Sequence, residues 1–471
     1  MLDKLYNKTI YLASLPLIAA FFFSWLSFIA FIPFLYFLEK RPIKSTIFTF
    51  LPFLAFIYSG IYKSTHVYYG LNAIFALLLV IGLSIYHLFY LASSAYVFKK
   101  IKSNLLIFPI LFVAFEVLKN KALYGLPLGN LNIFTYNLPF FIKDASIFGS
   151  MFVDLKILYL NLALLYLLKK EFKKSAVLAG AIFLSILIPT TKPISFKHIS
   201  ISLVQGNIPQ DEKWENNLLS RNLNIYLSLS KGLKSDVVFW PESAYPYLFS
   251  KIYSKKIENL IHSNSFSLIF GAVIKDKEKY YNSVVLYSKN QLNYYNKQKL
   301  VPFAEFMPFS AILKMENYNL TEGKKNVIFK TKGVNIGPMV CYEENYPSIS
   351  RLYKTSGIDI LTVFTNDAWF DKTPTFYLFP RSDIYRAVEN KTMLIRIANT
   401  GLSFIVAPDG KILNQLPTDK IGVLTTQLNI PLYTKTVYDR FGWLFDYLIV
   451  LFATFLPFYR RYKSQKQTQP H

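Results

Sequence analysis

With 471 residues, 53% of them hydrophobic and 17% aromatic, and a mean hydropathy of +0.29, the chain is too apolar for an ordinary soluble enzyme. It reads as a membrane protein with room for more than one domain. A formal charge of +24 would suggest nucleic acid in a soluble protein, but here the basic residues cluster beside apolar spans, where they act as topology signals, and no nucleic-acid partner is expected.

Residues 9–37 are almost continuously apolar and aromatic. That is too long for one span of about 20 residues, so two helices turning near residues 24–27 are expected. No small-residue cleavage site follows, which makes the first span an anchor and not a removed leader. Further spans are expected at 45–61, 69–97, 105–118, 151–168, 176–188 and 443–459, giving about eight in all, seven before a long polar region and one after it.

Orientation comes from the loops. Basic residues are dense at 40–44, 99–102, 169–174 and 460–466, and simple alternation of the spans puts all four clusters on one side. By the positive-inside rule that side is cytoplasmic, with both termini inside and residues 192–440 outside. The connection 118–148, which includes Gly125-Leu126-Pro127-Leu128-Gly129, then also lies outside as interfacial or re-entrant structure. The expected domains are an N-terminal transmembrane domain of seven helices (1–191), an extracytoplasmic catalytic domain (192–440), and a last helix with a basic tail (441–471).

The outer region changes character. Strand-like runs recur at 198–204, 236–240, 267–274, 283–287, 333–340, 358–364 and 402–407, with helical stretches at 214–233, 346–355 and 381–391. Alternation of buried strands with helices indicates a layered α/β domain. No internal repeat or low-complexity segment is evident.

Three motifs in this region end an apolar run on a reactive side chain. They are Val237-Val238-Phe239-Trp240-Pro241-Glu242, the stretch from Tyr294 through Lys297 and Lys299 to Glu305, and Val334 to Val340 followed by Cys341, the single cysteine of the chain. One cysteine excludes an internal disulfide and leaves a thiol free for chemistry. Ligand chemistry in open α/β sheets collects at the carboxyl ends of strands, so the three are expected to converge. A carboxylate to take a thiol proton, an ammonium to hold an oxyanion and a thiolate nucleophile make an acyl-transfer set. Lys297 and Lys299 would share one face of a strand, and spacing alone does not choose between them.

The ordered set Trp-Pro-Glu-Ser (240–243), Lys-x-x-Leu-Val-Pro-Phe-x-Glu (297–305), Cys-Tyr-Glu (341–343) and Asn-Asp-Ala-Trp-Phe (366–370) resembles the nitrilase-like carbon–nitrogen hydrolase superfamily. Joined to seven preceding spans and one following, the chain is similar to the bacterial apolipoprotein N-acyltransferase family in particular. Gln205-Gly206-Asn207-Ile208-Pro209-Gln210 with Trp214, Asn282-Ser283, and the Ala398-Asn399-Thr400-Gly401 ending fit the same family. The resemblance implies an αββα sandwich carried by the membrane bundle. It places the general base on Glu242, the catalytic lysine on Lys297, counted from Glu305, and the nucleophile on Cys341. Glu305 and Glu343 match supporting carboxylates, and Tyr342, Trp214, Asn282 and Trp369 match positions lining the site or its loops. Ala304 stands where the family usually has Gly, Asp371 replaces the Gly usual after Trp369-Phe370, and Phe379 stands near a common Gln-His pair.

The implied activity is transfer of an acyl chain from a membrane phospholipid, through a Cys341 thioester, to the α-amino group of a diacylglyceryl-modified cysteine at a lipoprotein N-terminus. The implied setting is the bacterial inner membrane, with a monomeric enzyme and neither cofactor nor metal, since the five histidines form no ligand pattern. Aromatic residues at 306–309 and 369–379 are expected in loops that dip into the interface. Two rivals are a membrane-anchored amidase that transfers the acyl group to water, and a non-enzymatic lipid-binding scaffold. Few charged residues lie within the spans, Glu116 and Asp154 near span ends being exceptions, which argues against a transport path.

Overall fold

The computed structural model describes residues 9–122, 125–189, 191–249, 255–289, 291–307 and 320–467. They fall into two compact units, one of residues 1–190 with 440–471 and one of residues 191–439.

The first unit is helical: α1 Leu15–Phe22, α2 Ile32–Lys40, α3 Pro42–Ile57, α4 Ala73–Lys100, α5 Phe108–Lys121, α6 Ser150–Leu168, α7 Phe172–Leu187, and most of a last helix Val437–Gln467. Prolines stand in the first turns of α1, α2, α3 and α5, where the missing N–H has no intrahelical partner to lose. The apolar run 9–37 breaks at a 3-10 turn, Ser24–Phe28. Asn161 of α6 satisfies backbone groups around that break, accepting from Phe31 N at 2.9 Å and donating to Ser27 O at 2.8 Å.

Three helices are long and apolar enough by themselves to cross a membrane: α4, α6 and the Val437–Pro457 part of the last helix. The pair Pro42–Ile57 and Ser59–Tyr68, bent by 45°, makes a fourth if taken as one span. The other apolar helices are shorter: α1, α2, α5 and α7 have 8, 9, 14 and 16 residues. The charges within α5 are internally matched. Lys119 Nζ donates to Glu116 Oε2 (2.9 Å), Asn130 Oδ1 (3.0 Å) and Leu128 O (3.1 Å), and Glu116 Oε1 meets His87, whose other nitrogen meets Tyr58. This buried network holds the Gly-Leu-Pro-Leu-Gly connection against α3, α4 and α5, since a buried charge without partners is expensive.

The second unit holds β1 Ser195–Gln205, β2 Val237–Phe249, β3 Ser267–Asp276, β4 Lys279–Ser288, β5 Gln291–Asn296, β6 Phe329–Thr331, β7 Val334–Val340, β8 Ile360–Thr365, β9 Met393–Ala398, β10 Phe404–Val406, β11 Ile412–Gln415 and β12 Gly422–Leu432. Its helices are α8 Leu219–Ser230, α9 Lys255–Asn264, α10 Pro347–Thr355 and α11 Pro374–Asn390. The strands form two six-stranded sheets, β12-β1-β2-β3-β4-β5 and β11-β10-β9-β8-β7-β6. Each has a parallel centre, β1-β2-β3 and β7-β8-β9, flanked by antiparallel strands.

Period-two alternation along β2 sorts the layers. Val238 and Trp240 join Leu223 and Tyr226 of α8 and Ile257 and Ile261 of α9 in one apolar cluster. Phe239, pointing the other way, meets Phe364 of β8 at 6.3 Å between ring centroids. Helices α10 and α11 cover the far side of the second sheet, against β7 and β9. The arrangement is helix, sheet, sheet, helix, a nitrilase-like α/β domain.

Several boundaries differ from expectation. Helix α8 starts at Leu219, leaving Trp214 in the preceding loop, and α11 starts at Pro374, seven residues before the expected start at 381. Strands β5, β6, β9, β11 and β12 were not anticipated. Three of them are short or exposed edge pieces, while the buried run of β9 is interrupted by the charge of Arg396. The expected aromatic loop 306–309 lies partly outside the described residues.

Candidate active site

The carboxyl ends of β2, β5 and β7 bring the three motif residues into one cluster within the second unit. Glu242 sits where β2 and β3 lose register, between Trp240 and Tyr245. The following Ser243 takes φ +49°, a left-handed conformation uncommon for a residue with a side chain. Lys297 follows the last residue of β5, with its N–H bonded to Asn282 O at 2.8 Å. Cys341 directly follows β7, has φ +49°, and opens the 3-10 turn Cys341–Asn345. A strained backbone at a single thiol between strand and turn fixes where that thiol points.

Hydrogen bonds connect the carboxylates and the lysine. Asn282 of β4 donates from Nδ2 to Glu242 Oε1 at 2.7 Å and to Glu305 Oε1 at 3.0 Å. Lys297 Nζ contacts both oxygens of Glu305 at 2.8 Å, and Val301 N donates to Glu305 Oε2 at 2.8 Å. Glu305 is thus clamped by its own turn and by the lysine it neutralises.

Glu343 ties the turn that carries Cys341 to the segment that carries Lys297. Its Oε2 accepts from Val340 N at 2.7 Å, while Oε1 accepts from Gln298 N (2.6 Å), Tyr295 Oη (2.7 Å) and Lys299 N (3.2 Å). Lys297 and Lys299 do not share a strand face, because β5 ends at Asn296 and the chain bends there. Lys297 is 1% exposed and turned into the cluster; Lys299 is exposed, with Nζ 5.7 Å from the Tyr346 ring centroid.

The electrostatics are those of a buried charged site. Burial is the largest effect on the Cys341 thiol and pushes it well above its ordinary range, with the Glu242 carboxylate adding to that and Lys297 and a hydrogen bond from Thr365 opposing. Burial likewise raises Glu242, against the pull of Lys297 and the Asn282 hydrogen bond. Burial alone would lower Lys297, but Glu305, Cys341 and Glu242 together outweigh it and hold the ammonium above its usual value. The resting site therefore holds a protonated thiol, a carboxylate whose proton affinity is shifted toward that of the thiol, and a permanently charged lysine.

The remaining expected residues are placed as follows. Tyr342 is buried, its ring edge-on to Tyr346 at 5.4 Å. Trp214 is 46% exposed in the loop after β1. Trp369 is half-buried in the 3-10 turn Asp367–Trp369. Asp371 has φ +44°, which explains a Gly at that place in similar sequences and which Asp tolerates better than most residues. Phe379 stacks on Phe370 at 5.1 Å.

Sequence reasoning missed three contributors. Thr365 ends β8 against the thiol. Lys213, buried in the loop beside Trp214, donates from Nζ to Glu242 O at 3.0 Å. Arg396 of β9 gathers Glu344, Asp383 (2.7 Å) and Asp367 (2.8 Å) directly behind the Cys341 turn. Position relative to a motif was a usable signal for Lys213, which precedes Trp214. Nothing in the sequence pairs Arg396 with acids 13 to 52 residues away. Among the described residues no group of His, Cys, Asp and Glu is arranged to hold a metal ion.

Two family models match the chain. Residues 200–438 match Carbon-nitrogen hydrolase, and residues 11–163 match Apolipoprotein N-acyltransferase N-terminal domain. A protein of Rickettsia prowazekii named apolipoprotein N-acyltransferase is 31% identical over 72% of this chain and 72% of its own length. The proteins of that name from Aquifex aeolicus and Haemophilus influenzae are 30% and 29% identical, over 74% and 91% of this chain and 80% and 90% of theirs. A solved carbon–nitrogen hydrolase superfamily protein of Xanthomonas campestris superposes with a TM-score of 0.39 and 19% identity, over 49% of this chain and 91% of that one.

Proposed function

The chain belongs to the apolipoprotein N-acyltransferase family, and from that premise we propose that it moves an acyl chain from a membrane phospholipid to the α-amino group of a diacylglyceryl-modified lipoprotein N-terminus, with Cys341 as nucleophile. The observation that carries the reading is the hydrogen-bonded chain Glu242–Asn282–Glu305–Lys297, gathered at the Cys341 turn of an α/β unit. Glu242 is the general base and Lys297 the oxyanion partner, with Glu305 and Asn282 holding both in place. Tyr342, Trp214 and Trp369 line the site or its loops, and Glu343 supports it.

In the first half-reaction Glu242 takes the Cys341 proton and the sulfur attacks the ester carbonyl. The raised proton affinity of Glu242 narrows its gap to the thiol, so the transfer is less uphill than to an ordinary carboxylate. Negative charge on the carbonyl oxygen meets Lys297. The ester C–O bond then breaks, Glu242 returns the proton to the departing lysophospholipid oxygen, and a thioester remains. In the second half-reaction the lipoprotein amine attacks the thioester, its proton passes to Glu242, and the sulfur leaves and is reprotonated as the amide forms.

The membrane unit serves this chemistry by keeping both substrates in lipid. At ~0.8 kcal/mol per CH₂, lifting one long acyl chain into water costs more than ~10 kcal/mol. We read the topology as eight spans, with both termini cytoplasmic, residues 192–440 outside the cytoplasm, and the enzyme a monomer in the inner membrane. The four basic clusters support that reading.

The test is intact-mass measurement of the wild type and Cys341→Ser after incubation with phospholipid and before any amine acceptor. Expected is a gain of one acyl group on the wild type only, discharged by a diacylglyceryl-cysteine peptide that becomes N-acylated. Release of free fatty acid without an adduct would replace transfer with hydrolysis. No reaction at all would leave a lipid-binding scaffold.

A further inference from the structure

Two buried lysines reach this site, and they differ in how fully they are used. Lys297 is committed to Glu305 through two 2.8 Å contacts. Lys213 is 4% exposed, and among the described residues its ammonium makes one hydrogen bond, the 3.0 Å contact to the main-chain carbonyl of Glu242. An ammonium carries three hydrogens, so two of them point into a buried place with no acceptor. Leaving such donors unmatched is costly unless a charge arrives to meet them.

The loop that carries Lys213 is held from α8, where Asn222 donates from Nδ2 to Glu212 O at 3.0 Å and to Lys213 O at 3.4 Å. The charged groups that act on the ammonium are Glu242 from β2 and Cys341 from the end of β7. On its own loop Glu212 is paired with Arg221 and Glu215 is exposed, and Glu305 with Lys297 lies beyond Asn282. The resting charges pair as Lys297 with Glu305 and Lys213 with Glu242. The reaction adds one negative charge, first on sulfur and then on the carbonyl oxygen. Lys213 holds the donors not yet spent.

We propose that Lys213 is the second cation of the acyl-transfer step, stabilising the negative charge that forms on the Cys341 sulfur and passes to the oxygen of the attacked carbonyl. The proposal rests on Cys341 being the nucleophile. Burial lowers Lys213 to about 8, with Glu242 and Cys341 opposing. Its help is therefore available at neutral pH and withdrawn in mild alkali, where Lys297 keeps its charge.

Because Cys341 is the single cysteine, iodoacetamide alkylation of the full-length protein in detergent reports its thiolate directly, with no acyl donor involved. Wild type, Lys213→Met, Lys213→Gln and Lys213→Arg are compared, with Cys341→Ser as the unreactive control. At pH near 7 the Met and Gln variants should alkylate about tenfold more slowly than wild type, the equivalent of one pKa unit, and Arg should restore the rate. At pH about 9.5 the gap between wild type and Met should close, while Arg, which keeps its charge, outpaces the wild type. A Met or Gln variant that folds and alkylates at the wild-type rate, or an Arg variant as slow as Met, would reduce Lys213 to a prop for the Glu242 carbonyl. Failure of the wild type to form an acyl adduct with phospholipid, with this alkylation pattern intact, would sink the proposed activity and leave the charge role of Lys213 standing.

Discussion

Gly271 on β3 stands directly beneath Glu242 on β2: a Cβ at that glycine would lie 2.5 Å from the Glu242 Cα and 2.4 Å from Ser243 N. Absence of a side chain there is what allows β2 to leave register and turn the carboxylate toward Asn282. The contact is with backbone on both sides, so neither strand can yield cheaply.

Gly271→Ala should therefore displace Glu242 while leaving Cys341 and Lys297 in place. The expected result is an acyl-enzyme formation rate lower by at least about a hundredfold, since general acid–base catalysis contributes that much, with a stability loss of about 1–3 kcal/mol from overpacking. Single-turnover acylation followed by intact mass, alongside thermal unfolding, separates the two. An acylation rate within about threefold of wild type would show that Glu242 does not depend on this packing.

Glu343→Gln tests the tie between the two active segments. The carboxylate accepts from Val340 N on one oxygen and from Tyr295 Oη, Gln298 N and Lys299 N on the other. An amide offers one acceptor and places an N–H₂ donor against donors on its other side. Stability should fall by about 2–3 kcal/mol, and acylation should fall with it because the Cys341 turn and the Lys297 segment lose their common anchor. Thermal unfolding and the acylation rate check both, and a variant unchanged in stability would refute the anchoring role.

The Arg396 cluster predicts a dependence on pH. Asp383 is pushed up to about 6 by burial, with Arg396 opposing, and Glu344 is raised as well. A carboxyl raised on folding binds more protons folded than unfolded, so its contribution is fully present below the unfolded value near 4 and lost as pH rises through about 6. Asp383→Asn removes that titration. Relative to wild type the Asn variant should gain stability on going from pH about 4.5 to pH about 7.5, by about 2 kcal/mol. Unfolding midpoints measured across that range provide the check, and a difference that stays constant with pH would mean that Asp383 does not take up a proton on folding.

Much of this protein was open to reading from the chain alone. The apolar runs and their basic flanks announce a membrane unit because bilayer thickness and surface charge act on composition, which needs no tertiary knowledge. Strand ends carrying Glu242, Lys297 and Cys341 were visible because each follows a run of apolar β-formers, and period-two burial is a local property. Spacing left Lys297 and Lys299 equivalent. Only the end of β5 at Asn296 separates them, turning one into the cluster and the other to solvent. Lys213 and Arg396 were silent in the sequence for a related reason. Lys213 meets a carbonyl 29 residues away and Arg396 meets Glu344 52 residues away. Buried charges are chosen by partners brought from distant segments, and those partners exist only once the two sheets have packed.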